Sequence, residues 1–178
     1  ANIATQGGGG SAANATNVCP APLTYPNFDC LNLRVNNLSR PGDPCIRPGD
    51  NVALVLKNCA EYYPVLFACW HAGLAAVPIN AKLHAREVAW ILDNAKARAL
   101  FVSEELAHDL LPQAAGVARL KSRIVMGSGD WRKLLRAEAL GVEDRVGADD
   151  LAWLFYTSGT TGRPKGAMLT HRNLFLMT

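Results

Sequence analysis

LAWLFYTSGTTGRPKGAMLTHRN, residues 151–173, joins a continuous apolar run to a loop rich in glycine and hydroxyl side chains. The run from Leu151 to Tyr156 predicts a buried strand, because all of its side chains are apolar or aromatic. An open α/β sheet binds ligands beyond the carboxyl ends of its strands. The stretch therefore predicts an α/β fold with a ligand site where this strand ends.

The loop after the strand has the composition of a phosphate site. Glycines let backbone amides approach an anion closely and adopt positive φ, threonine and serine hydroxyls donate hydrogen bonds, and a lysine adds a point charge. Thr170 is placed to cap a helix from His171, and Gly166 is counted with the loop glycines. The candidate phosphate-binding residues are Thr157, Ser158, Gly159, Thr160, Thr161, Gly162 and Lys165.

Three other interpretations fit the loop less well. A flexible surface turn does not explain why the loop directly follows a buried run. A Walker A site is excluded by spacing, since Gly159 is followed five residues later by Pro164. A nucleophile elbow around Ser158 would need glycines where Tyr156 and Thr160 stand.

The segment YTSGTTGRPKG at 156–166, followed by AMLTHRN, closely resembles the phosphate-loop signature of the AMP-forming adenylating enzymes. That family contains acyl-CoA synthetases, luciferases and nonribosomal-peptide adenylation domains. The segment from Arg47 to Val102 is similar to the opening of the same family's N-terminal domain, as bacterial acyl-CoA synthetases have it. The resemblance implies an incomplete N-terminal domain of an adenylate-forming enzyme.

The resemblance also implies an activity: an ATP-dependent acid–thiol ligase. Such an enzyme first forms an acyl-adenylate from ATP and a carboxylic, here fatty, acid, with Mg²⁺ as metal, and then transfers the acyl group to coenzyme A. In the family the adenine contacts, acyl pocket, magnesium-binding acid and C-terminal lysine come after the position of Thr178. The chain is therefore expected to hold no complete catalytic set and to be inactive alone. The alternative is a catalytically inactive remnant that acts as a phosphate-binding or protein-interaction module.

Composition limits the other function classes. The 178 residues are 49% hydrophobic with a net charge of +3 and no basic run, which does not favour nucleic acid as a partner. No apolar stretch reaches the roughly 18 residues of a membrane span, so we expect a cytoplasmic protein. The five cysteines show no C-x-x-C spacing, which argues against a metal site, and Cys59 and Cys69 are predicted as core residues of one helix.

Two regions differ in composition. Residues 1–22 contain no charge and a glycine run, which predicts a disordered linker-like tail before a partial adenylating domain at 23–178. An uncovered apolar face of the partial sheet predicts self-association.

From Asp50, apolar runs alternate with amphipathic helices, which predicts a mostly parallel sheet with flanking helices. A helix from an Asn58–Glu61 capping box to Gly73 is expected to bend at Pro64 and to bury Tyr63, Leu66, Phe67 and Trp70. The four tryptophans, His71, His84 and His171 are assigned packing or surface roles, and 159–165 is expected to be mobile without ligand. Strands are predicted at 52–56, 75–79, 99–102, 124–126 and 151–156, and further helices at 23–40, 84–96, 104–118 and 130–140.

Overall fold

The structure is a computed structural model, and it describes residue 46 and residues 48–136, 146–157 and 164–176. The predicted helix at 23–40, the tail before it and most of the phosphate loop lie outside these residues. The strands are β1 (Asn51–Val55), β2 (Ala75–Pro78), β3 (Ala99–Val102), β4 (Ser122–Val125), β5 (Leu151–Thr157) and β6 (Lys165–Thr170). The helices are α1 (Tyr62–His71), α2 (Ala85–Asn94), α3 (Glu104–Ala114), α4 (Gly129–Leu135) and α5 (His171–Leu176).

The strands form one sheet in the order β4-β3-β1-β2-β5-β6. Every neighbouring pair from β4 to β5 is parallel, and β5 and β6 are antiparallel. The strands β2 and β3 are buried along their whole length and β1 from its second residue onward, as the side chains of Val52, Leu54 and Phe101 show. Burial on both faces is typical of parallel strands and explains their uninterrupted apolar sequence. The mostly parallel α/β fold is confirmed.

The helices cover both faces of this sheet. Helices α1 and α4 pack on one face, where Val65, Cys69 and Trp131 join one apolar cluster. Helices α2 and α3 pack on the other face, where Ile91 and Leu110 join a second cluster. The result is a three-layer arrangement in which each of these four helices buries apolar side chains against the sheet, whereas α5 buries none.

Helix α1 begins later than the sequence predicts. It starts at Tyr62, and Glu61 at its N-cap makes no side-chain capping bond, so the Asn58–Glu61 capping box is wrong. Pro64 is the third residue of the helix, and the first ladder bond is donated by Val65 N to Glu61 O at 3.1 Å. Pro64 therefore removes no ladder bond, because amides of the first turn have no partner within a helix.

The face that α1 buries is also different from the prediction. Val65, Leu66, Ala68 and Cys69 are buried, whereas Tyr63 is 64% exposed. Of the predicted face, Leu66 is buried as expected, and Phe67 and Trp70 are partly buried. Cys59 precedes the helix, while Cys69 is a core residue as expected. The prediction that Gly73 ends the helix is confirmed, and its φ is +67°.

Strand β6 is not among the predicted elements. It pairs with β5 from Thr157 opposite Lys165 to Leu151 opposite Thr170. Lys165, the last residue of the segment 159–165 that was expected to be mobile, is instead a ladder partner of Thr157. The helix start after β6 is confirmed, because Asn173 N donates to Thr170 Oγ1 at 3.2 Å.

Candidate ligand cleft and phosphate loop

A cleft of about 1050 Å³ opens at the carboxyl ends of β1, β2 and β5. Strand β1 leads into α1 on one face of the sheet, and its neighbour β2 leads into α2 on the other face. Where adjacent parallel strands send their connections to opposite faces, the loops separate and leave a crevice. The cleft is lined by Leu56, Lys57, Asn58, Tyr62, Pro78, Ile79, Asn80, Ala81, Lys82, Leu83, Glu87, Ile91, Phe155, Tyr156, Thr157 and Pro164.

Pro78 explains why the ladder between β2 and β5 is short. Ala75 N donates to Asp50 O at 3.0 Å and Ile79 N donates to Leu54 O at 2.9 Å, so these amides point towards β1. Amides alternate sides along a strand, so position 78 is one that would donate towards β5. Proline has no N–H to give. In the described residues the pairing of β2 with β5 is the single pair Ala76 and Trp153, and β5 continues past it along the cleft.

The structure brings the two ends of the predicted phosphate loop together. Thr157 is the last residue of β5 and Lys165 the first of β6, and the two are exposed ladder partners beside the cleft. The remaining candidates, Ser158, Gly159, Thr160, Thr161 and Gly162, lie outside the described residues, and their role stays a prediction.

Gly166 has a role that the sequence interpretation missed. It was counted with the glycines that take positive φ near a ligand, but it lies within β6 opposite Tyr156, and its φ is not positive. A Cβ at this position would lie 2.9 Å from Leu154 Cδ1 and 3.3 Å from Tyr156 Cζ. Glycine at this position therefore lets the side chains of β5 cross β6 without having to shift.

Tyr156 ties the loop end of the β5–β6 hairpin to helix α2. Its hydroxyl donates to Asn94 Oδ1 at 2.6 Å, and its ring meets the ring of Trp90 edge to face at 6.5 Å. Burial raises the pKa of Tyr156, which keeps the hydroxyl protonated as a donor. The sequence interpretation assigned Tyr156 only to the strand. An aromatic residue with a polar tip, at the last position before the loop, was the available signal.

The charged groups around the cleft favour anions. Lys82 lines the cleft and makes no ion pair among the described residues, whereas Lys57 lies 3.5 Å from Glu105. The one acidic side chain of the lining, Glu87, accepts from His84 N at 3.0 Å as part of the α2 cap. A cleft with an unpaired cationic group raises the local concentration of anionic ligands.

His84 supplies the other half of that cap. Its Nδ1 accepts from Arg86 N at 3.2 Å, so the residue ends the cleft segment and begins α2. This is the exposed helix-terminal role expected for His84. The prediction did not identify the cap itself, because histidine is not a usual N-cap residue.

An aromatic group fixes the base of the hairpin on the opposite face. Trp70 Nε1 donates to Ala152 O at 2.8 Å, and the Trp70 ring lies 6.0 Å from Trp153 and 6.5 Å from His171. Burial lowers the pKa of His171, and the nearby Asp150 carboxylate opposes this change. The packing role predicted for His171 and these tryptophans is confirmed.

Two features are absent from the part of the chain that the structure describes. No three His, Cys, Asp or Glu side chains there lie together as metal ligands. No helix in the same residues is long and apolar enough to cross a membrane.

Comparison with known proteins identifies the family. Residues 36–178 match the family model of the AMP-binding enzymes. The chain belongs to this family. Feruloyl-CoA synthase from Amycolatopsis sp. is 43% identical over 85% of this AMP-binding chain and 29% of its own length. Fatty acid–[acyl-carrier-protein] ligase ScoC from Streptomyces coeruleorubidus is 34% identical over 86% of the chain and 29% of its own length.

Solved structures of AMP-binding family ligases share the fold. Anthranilate CoA ligase AuaEII in complex with anthranoyl-AMP matches 74% of the chain, with a TM-score of 0.67 and 29% identity. ATP-bound MatB from Rhodopseudomonas palustris matches 74%, with a TM-score of 0.63 and 32% identity. The chain spans 26% and 27% of those two proteins, and 29% of the feruloyl-CoA synthase.

Proposed function

We propose that these residues form the phosphate-binding part of an ATP-dependent, AMP-forming acid–thiol ligase. The observation that supports this most is the position of Thr157 and Lys165, which face each other at the rim of a cleft at the sheet's switch point. A loop closed by this pair would present amides, hydroxyls and one ammonium group beside the cleft. These are the donors that stabilise charge on transferring phosphoryl groups.

The proposed reaction has two steps. A carboxylate oxygen attacks the α-phosphorus of ATP, the bond to the bridging oxygen of the β-phosphate breaks, and its electron pair leaves with pyrophosphate. A thiol sulfur then attacks the acyl carbonyl carbon, its proton passes to solvent, and the carbon–oxygen bond to AMP breaks. In this scheme Thr157, Lys165 and the loop between them hold the β- and γ-phosphates, where charge accumulates in the first step.

The described residues fit this role in part. Lys165 is exposed, and Thr157 is exposed and lines the cleft, so both side chains can contact a polyphosphate. Mg²⁺ would neutralise phosphate charge when bound. The described residues contain no cluster suited to hold it, so we assign it no residue here. Coenzyme A as the thiol is part of the proposal, as are a cytoplasmic location and the division into a tail at 1–22 and a partial domain at 23–178.

The sequence resemblance and the named relatives point to different classes of acid substrate. The sequence resemblance favours fatty acids, and ScoC is a fatty-acid ligase by name. The feruloyl-CoA synthase is more similar, at 43% against 34% identity. We therefore propose a carboxylic acid with an apolar body, and a test panel should contain both fatty and aromatic acids.

ATP–pyrophosphate exchange tests this function. The assay compares the 178-residue chain with a chimera that joins it to the remaining sequence of the Amycolatopsis feruloyl-CoA synthase, using octanoate, palmitate and ferulate. We expect exchange by the chimera with at least one acid and none by the chain alone. Positioning and electrostatics must supply about 8 kcal/mol or more, whereas one oxyanion-type donor supplies about 3 kcal/mol.

The inactive-module alternative gives a different result in the same assay. A chimera that folds and binds ATP but exchanges with no acid, while the intact feruloyl-CoA synthase exchanges with ferulate, would favour it. Equal exchange by the chain alone and by the chimera would show that these residues suffice for catalysis and would overturn the proposed division of roles.

A further inference from the structure

The loop end of the β5–β6 hairpin is held by side chains more than by the sheet. The ladder to β2 consists of the pair Ala76 and Trp153, and the next position on β2 that faces β5 is Pro78. Beyond that point, Leu154 to Thr157 pair with β6 alone among the described strands. The hairpin therefore needs another attachment to keep its loop at a fixed distance from the cleft.

Tyr156 supplies that attachment. Its ring lies over the backbone of Gly166, where a Cβ would come within 3.3 Å of Tyr156 Cζ, so it contacts both strands of the hairpin. Its hydroxyl reaches Asn94, the last residue of α2, at 2.6 Å. The same ring meets Trp90 one turn earlier on that helix.

Helix α2 is also a wall of the cleft. It begins at the His84 cap, directly after the lining segment 79–83, and it contributes Glu87 and Ile91 to the lining. A bond from Tyr156 to the other end of this helix thus joins the loop end of the hairpin to a helix that lines the cleft. The bond spans 62 positions in sequence, and its donor residue directly precedes Thr157, at which the loop begins.

We propose that Tyr156 is a positioning residue, whose hydrogen bond to Asn94 holds the loop end of the hairpin, Thr157 and Lys165, in place beside α2 and thereby sets the affinity for polyphosphate. This inference rests on the proposed function and adds a residue outside the loop to it. Loss of the bond releases the loop end of the hairpin, because Pro78 offers no ladder bond in exchange. The base of the hairpin stays fixed by Trp70 and the pairing near Trp153.

The test uses the 178-residue chain, inorganic tripolyphosphate as ligand, and three variants. Tyr156→Phe keeps the ring and removes the donor, and Asn94→Ala removes the acceptor. Ser128→Ala is the matched control, since it removes the hydrogen bond from Trp131 N at 3.2 Å on α4, away from the cleft lining. Calorimetry gives the dissociation constants, and thermal unfolding shows whether the variants lose comparable stability.

We expect Tyr156→Phe and Asn94→Ala each to weaken tripolyphosphate binding about fivefold, and the double variant to weaken it no further, because both remove the same bond. Ser128→Ala is expected to keep the affinity for tripolyphosphate within about twofold of the wild-type value. Equal affinities for Tyr156→Phe and Ser128→Ala at equal stability loss would overturn the proposal, as would additive effects in the double variant.

Hydrogen exchange in the ligand-free chain separates this claim from the proposed function. Tyr156→Phe should speed exchange at the loop end of the hairpin, residues 155–157 and 165–167, and leave the base at 151–153 and 168–170 unchanged. If hydrogen exchange becomes faster equally at both ends of the hairpin, or at neither end, the positioning role of Tyr156 is contradicted even if tripolyphosphate binds. If the wild-type chain does not bind tripolyphosphate, the proposed role of the loop is contradicted. The hydrogen-exchange result still decides whether Tyr156 holds the hairpin.

Discussion

Gly166 on β6 lies so close to Leu154 on β5 that a Cβ on Gly166 would be 2.9 Å from Leu154 Cδ1. We therefore expect Gly166→Ala to destabilise the chain by about 1–3 kcal/mol, since the added methyl group must displace packed side chains. Urea unfolding measures the change. Gly129→Ala is the control, because its Cβ would meet nothing within 4 Å. Equal stability of the two variants would contradict this explanation of Gly166.

The pH dependence of stability should contain a contribution from His171. Burial lowers its pKa below the ordinary value of 6.5, so the unfolded chain binds this proton more readily than the folded one. Stability from the neutral ring is then fully present above about pH 6.5 and falls as the pH drops through the lower folded value. Thermal unfolding between pH 8 and pH 5 measures this loss. His171→Phe keeps a ring against Trp70, and it should flatten the profile; an unchanged slope would assign the loss to other groups.

The two described cysteines should differ in reactivity. Burial raises the pKa of Cys69 to about 12, and its side chain is wholly buried in α1. Cys59 is partly exposed, and its pKa is also raised, chiefly by burial and then by the Glu61 carboxylate. We expect iodoacetamide at pH 8 to modify Cys59 slowly and Cys69 only on unfolding, as peptide mass spectrometry can show. Rapid modification of Cys69 in the native chain would contradict its placement in the core.

The exposed apolar side chains of β6 and α5 support the expectation of self-association. Met168, Phe175 and Leu176 are 69%, 79% and 73% exposed, and β6 is an edge of the described sheet. An apolar edge strand without charges in its middle tends to pair with another chain. Light scattering at rising concentration should show species larger than a monomer, and Met168→Lys should reduce them. A monomer at all concentrations would remove this expectation.

The sequence predicted the buried strands well and the exposed hairpin poorly. The strand from Ala99 to Val102 has the predicted bounds, because a short apolar run between turns has few alternatives in a parallel sheet. Strand β6 has no such run, and only its pairing with β5 makes it a strand. The start of α1 was misplaced because a capping-box pattern at Asn58 is a local signal, and the chain turns once more before the helix begins at Tyr62.

The candidate site also contains residues that a local sequence pattern identifies and residues that it does not. The loop residues were identified from composition and motif, whereas Tyr156, Asn94 and Pro78 act through contacts between distant parts of the chain. The bond from Tyr156 to Asn94 depends on how α2 packs beside β5, and no local pattern encodes it. The effect of Pro78 depends on which side of β2 its missing amide would face, which the register decides.

The loop closed by Thr157 and Lys165 is proposed to bind polyphosphate, and calorimetry with tripolyphosphate measures that binding. We predict wild-type binding at a roughly millimolar dissociation constant. Lys165→Ala should weaken it about tenfold or more through loss of one charge-assisted contact, with unfolding free energy unchanged because the side chain is exposed. Lys133→Ala is the control, since it removes the same charge from an exposed pair on α4, and it should stay within about twofold. Equal weakening by the two variants, or no binding by the wild-type chain, would contradict the account.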